Sequence, residues 1–89
     1  MLKKTLHRIV KEGVEHSRKY FAVEMRMEGS ASHEIILTPR ESIEGTMQYY
    51  DSHFNDNLEA VGGMFQARRA RIVDAMMVDD LRDLSAFFV

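Results

Sequence analysis

Cysteine is absent from this chain, tryptophan is absent too, and proline occurs once. Without cysteine there is no disulfide framework, no thiolate zinc site and no thiol nucleophile. A reducing compartment fits that absence. No apolar run approaches the roughly 18 residues that a membrane-spanning helix needs, so no membrane span is expected. The first residues, MLKKTLHR, lack the apolar centre of a signal peptide, and a cytoplasmic protein is the expectation. Also missing are a P-loop, a G-x-G-x-x-G turn, a G-x-S-x-G elbow, an H-E-x-x-H helix and an EF-hand loop.

What is present suits one small globular domain spanning residues 1–89. Hydrophobic residues make up 45% of the chain and charged residues 29%, a balance that argues against disorder along its length. The net charge of −2 hides an asymmetry. Residues 1–20 hold six Lys/Arg against two Glu, and residues 21–63 hold two Arg against eight Asp/Glu. Solvated faces of a fold, or docking between oppositely charged surfaces, both follow from such a split.

The clearest local signal is Thr38 to Phe54. Thr38 and Glu41 have the T-x-x-E spacing of a capping box, and Pro39 would occupy the first helical position. Ile43, Met47, Tyr50 and Phe54 then recur at helical spacing and make one apolar face. A capped amphipathic helix packed on a small sheet is expected here. Residues 2–18 read as another amphipathic helix, with Leu2, Leu6, Ile9, Val10 and Val14 on one side. Gly13 keeps a rival strand reading open there, but the helix accounts for more apolar positions.

Residues 20–28 alternate, with Phe21, Val23, Met25 and Met27 facing one way. Ala22, Glu24, Arg26 and Glu28 face the other, which reads as a strand with one wet side. After the turn Gly29-Ser30-Ala31-Ser32, His33 to Leu37 forms a second short strand, and together they suggest an antiparallel hairpin. Residues 70–78 read as a third strand, with a helix from Phe65 as the alternative. Asp79 is a candidate N-cap for a last helix carrying Leu81, Leu84 and Phe88. The expected fold is therefore α+β, a small antiparallel three-stranded sheet packed by helices in the order α-β-β-α-β-α.

No constellation for catalysis, metal or cofactor emerges. Each of the four histidines is read as a surface residue, and 89 residues leave little room for a pocket with its supporting shell. A non-enzymatic binding role is the preferred expectation, with a protein partner. Its candidate contacts are Tyr49, taken as exposed on the central helix, the acidic residues Asp51, Asp56 and Glu59, and the apolar end Phe87 and Phe88. The alternative is a nucleic-acid binder using Lys3, Lys4 and Arg8 with Arg68, Arg69 and Arg71. Against it stand a pI near 6.0 and aromatics that do not interleave with the basic residues. Edge strands open a third route, self-association into a homodimer.

The segments TPRESIEG, QYYDSHFNDNLEA and IVDAMMVDDLRDL, following the hairpin, resemble in layout small uncharacterised proteins carried by phages and prophages of Gram-positive bacteria. The resemblance covers roughly residues 20–86. It implies an accessory protein that binds a host or phage factor, and it carries over no functional residue.

Overall fold

The computed structural model describes residues 1–88, with side chains described through Phe87. The element order is α1 (Lys3–Glu15), β1 (Tyr20–Arg26), β2 (His33–Pro39), α2 (Ile43–His53), β3 (Arg71–Val78) and a C-terminal 3₁₀ helix (Leu81–Phe88). The three strands form one antiparallel sheet in the order β2-β1-β3, so the chain has the expected α+β architecture. No helix among the described residues is long and apolar enough to cross a membrane.

Residues 3–15 are helical, and the rival strand reading falls away. The helix ends in a Schellman arrangement. The Arg18 N–H donates to the Gly13 carbonyl at 2.9 Å and the Ser17 N–H to that of Val14 at 3.0 Å, with Ser17 at φ 56°. Gly13, which interrupts the sequence pattern, is buried where α1 crosses β3. A Cβ there would overlap the Cβ and Cγ of Met77. Its absence lets the helix approach the sheet.

The inward residues of β1 behave as their alternation demands. Phe21, Val23 and Met25 are all at or below 1% exposure and meet Leu6, Ile43, Met47, Tyr50, Phe54 and Leu58 in one core. The opposite face is wet only at one end, where Arg26 and Glu28 are exposed. Ala22 is fully buried and Glu24 is 8% exposed, which corrects the expectation for that face. Val78 and Phe87 are buried as well, and the C-terminal helix carrying Phe87 packs on β3. Glu24 can be covered because His33, diagonal to it on β2, places Nδ1 on its carboxylate, and Arg26 Nη2 lies 3.9 Å away.

The start of α2 also differs from expectation. Strand pairing continues to Tyr20↔Pro39, so Thr38 is a buried strand residue opposite Phe21 and caps nothing. The chain leaves the strand through a 3₁₀ turn, Arg40–Ser42, and becomes α-helical at Ile43. The apolar face of α2 holds as read, with Ile43, Met47, Tyr50 and Phe54 each at or below 7% exposure. The last helix is 3₁₀, and its cap is Asp80, not Asp79. Asp80 Oδ1 accepts the Arg82 N–H at 2.9 Å, while Asp79 pairs with Arg18 at 2.7 Å. The Arg82 guanidinium forked on Asp80 Oδ2 holds that carboxyl below its usual range.

Tyr50 sits edge-on to Phe21 at 6.4 Å and to Phe54 at 5.5 Å. Burial first, and neighbouring Tyr49 second, push its hydroxyl up to about 12 from an ordinary 10.0. The folded chain thus favours the neutral phenol. That contribution is full below pH 10 and is lost as the pH rises through about 12. Stability measured by denaturant unfolding should fall by roughly 2–3 kcal/mol across this window, and Tyr50→Phe should flatten the fall. An alkaline limb unchanged in Tyr50→Phe would contradict it.

Candidate protein-binding groove

Two helical stripes meet on the side of the molecule away from the sheet. His7, Val10, Lys11 and Val14 recur on α1 at spacings of three, one and three, one helical face. Ile43, Met47 and Asp51 recur on α2 every four residues, flanked by Glu44 and Gln48. Together with Arg40 they line a groove of about 470 Å³. Its floor is Val10, Val14, Ile43 and Met47. His7 and Lys11 on the α1 side face Glu44 and Asp51 on the α2 side, with Arg40 just before α2.

The two helices run antiparallel because both ends are tied. Lys3 donates its ammonium to the carbonyls of Asp51 at 3.1 Å and Phe54 at 2.6 Å, and its N–H to Asp56 O at 2.8 Å. A cation on the C-terminal carbonyls of α2 is the favourable sign for the helix dipole. His7 Nε2 meets Asp51 Oδ1 at 2.7 Å one turn further on. At the other end the Arg40 N–H donates to Lys19 O at 2.9 Å, which holds the start of α2 near the exit of α1.

Of the candidate contacts read from the sequence, Asp51 lies on this groove. Tyr49 does not stand exposed. It is half-buried, stacked on His53 with ring centroids 4.2 Å apart and edge-on to Phe65 at 6.4 Å. Its hydroxyl is buried under the Gly62-Gly63 loop without a hydrogen-bond partner among the described residues. Gly63, at φ 72°, permits that approach, since a Cβ would come within 2.6 Å of the hydroxyl. Asp56 is exposed beside Leu2, Lys3 and Lys4, and Glu59 is exposed beside Arg69 and Arg71. Asp51, Asp56 and Glu59 therefore line different depressions. Phe87 is 6% exposed within the chain itself, and the side chain of Phe88 lies outside the described residues.

No protein-family model matches the chain, and no curated protein or solved structure matches it. The reading of the site rests on the residues themselves.

The basic candidates are dispersed in the same way. Lys3 is engaged on α2, Arg68 pairs with Glu34 at 3.3 Å, and Arg69 pairs with Glu28 at 3.2 Å. Lys4, Arg8 and Arg71 are exposed. Arg71 lines a depression of about 500 Å³ with Arg26, Arg69, Glu28 and Glu59. His33 and His53 are half-buried, contrary to the surface reading, and the His53 ring bonds to Tyr49 O at 3.0 Å. Among the described residues no three of His, Cys, Asp and Glu gather as metal ligands.

Sequence reasoning missed most of the groove. Lys11, Arg40, Glu44 and Gln48 sit at the polar margins of stripes read only for their apolar centres. The usable signal was that both margins carry charge beside valine, isoleucine or methionine.

Proposed function

We propose that the chain is a small binding module, a phage- or prophage-type accessory protein, that seats an amphipathic helix of a host or phage protein between α1 and α2. The groove carries this reading. Val14, 38% exposed, continues the covered surface of Ile43 and Met47 out to solvent. Lys11, Arg40, Glu44 and Asp51 supply both signs of charge around it. An amphipathic helix matches such a seat, with apolar residues at i, i+4 and i+7 on the floor and polar flanks on the rim. The α2 segment, 11 residues, is roughly 16 Å long and offers about three turns to lie against.

The experiment is affinity capture with the wild-type chain and with Val14→Asp, which charges the floor at a position already open to water. A partner bound by the wild type should bind the variant at least about tenfold more weakly, with the variant's helical circular dichroism signal retained at the temperature of the assay. Hydrogen exchange of the complex should show protection on a helical stretch of that partner. No retained partner, or equal retention by both chains, overturns the reading.

A further inference from the structure

Strand β2 is an edge of the sheet, and the phase of its hydrogen bonding shows which groups it leaves open. The Arg40 N–H bonds to Lys19 O, in line with the register Tyr20↔Pro39 and Phe21↔Thr38. In an antiparallel ladder the bonded pairs recur every second residue. Thr38, Ile36 and Glu34 therefore face β1. Ile35 and Leu37 turn both N–H and C=O outward, and Pro39 turns out its carbonyl. Among the described residues no other element pairs with that edge.

The strand carries few of the usual protections, Glu34 being its one acidic residue. HEIILTP contains no lysine or arginine, pairs with β1 without a bulge, and has its proline at the last position. Ile35 and Ile36 are half-buried and Leu37 is 38% exposed, so apolar surface continues to the rim on both faces.

We propose that β2 pairs antiparallel with β2 of a second copy of this chain, about a two-fold axis at Ile36. The strand's own sequence selects that centre. Ile35 then faces Leu37 of the other copy, and the two exchange both hydrogen bonds. Ile36 meets Ile36 on the helix side and extends the core across the joint. Glu34 faces Thr38, with Arg40 next in the same row, placing opposite charges diagonally across the strands. Centring on Leu37 would set Ile35 against Pro39, which has no N–H to give. Centring on Ile35 would set Glu34 against Ile36. The result is a continuous six-stranded sheet, and it does not depend on what the groove between α1 and α2 binds.

Because the chain has no cysteine, one introduced thiol reports the joint cleanly. Ile36 would form a non-hydrogen-bonded pair, with Cα atoms about 4.5 Å apart, within the roughly 4.4–6.8 Å span of a disulfide. Under mild oxidation Ile36→Cys should give a cross-linked dimer at least about tenfold faster than Glu12→Cys on the exposed side of α1. The unmodified chain should sediment at 10.3 kDa when dilute and approach twice that mass on concentration. Leu37→Lys should hold the mass at one chain without changing the helical circular dichroism signal. Arg40→Glu should weaken the dimer, and adding Glu34→Arg should restore it. A mass that never rises overturns the proposal, as does cross-linking no faster at 36 than at 12. A β2 edge that is protected from exchange only when a different protein's strand is present overturns it too.

Discussion

Gly13→Val is expected to destabilise the fold by about 2–3 kcal/mol, although the same change in an open helix would be close to neutral or favourable. Ordinary helix propensity ranks glycine last among residues other than proline, so a helical glycine usually invites replacement. Here the Cβ alone would overlap the first two side-chain atoms of Met77. The Met77 Cβ is fixed by the β3 backbone, so a change of rotamer can move Cγ aside but leaves the Cβ overlap in place. Either α1 lifts off the sheet or β3 moves, and each choice loosens contacts of Leu6, which is fully buried. Removing the obstacle should reverse much of the loss. Met77→Gly removes both of those atoms, and the double variant should lose at least about 1 kcal/mol less than the sum of the two single losses, a coupling expected only of residues in direct contact. Denaturant midpoints for the two single variants and the double variant decide the matter. Additive losses would show that the close approach is not what keeps residue 13 a glycine.

His33→Val should cost about 2–4 kcal/mol, and Glu24→Val in the same chain should return most of it. Glu24 stands on the central strand directly opposite Asp74, with its side chain 11% exposed. Two carboxylates facing across a ladder repel, and covering one adds a desolvation penalty. His33 and Arg26 offset both effects from the same face. Taking the imidazole away leaves a covered carboxylate with Arg26 alone at 3.9 Å. Replacing both partners by valine removes the need for a partner and suits a strand with β-branched neighbours. The loss is smaller than for a fully enclosed pair because both groups keep some contact with water. A double variant as unstable as His33→Val would mean that the imidazole contributes packing and not charge.

Much of this fold was legible because local patterns and tertiary packing agreed. Phe21, Val23 and Met25 alternate and are inward; Ile43, Met47, Tyr50 and Phe54 recur at helical spacing and are buried. The places that misread are those where a distant segment decides. Thr38 has the spacing of a cap, but pairing with Phe21 carries the strand past it, and the helix begins later. Glu24 alternates like a solvated residue and is covered because His33 arrives on a neighbouring strand.

The run IVDAMMV is the strand it reads as, but its buried residues do not follow a period of two, for a physical reason. The register slips between Glu24↔Asp74 and Met25↔Ile72, leaving Val73 as an extra residue. This bulge lets Ile72 and Ala75 both face the core, although they are three apart. Asp74, whose carboxylate accepts the Ala75 N–H at 2.8 Å, supports the kink.

The groove was harder to read than the sheet. Its members come from two helices with a hairpin between them in sequence, and nothing local marks His7 as the neighbour of Asp51. Tyr49 was misjudged for a related reason. From α2 alone it belongs to the outer side, and only the Gly62-Gly63 loop with Phe65 covers it.

The strand in the middle of the sheet is the first one made. β1 gains its neighbour β2 across a short turn, but its other flank waits for residues 71–78. During synthesis the inner ribbon is therefore an outer ribbon for most of the chain's length, with Val23 and Met25 covered on one flank only. Closure of that flank joins segments some fifty positions apart and is the step most burdened by loop entropy. A ribosome that stalls before Arg71 would leave a nascent product with its own central seam open to whatever strand comes near.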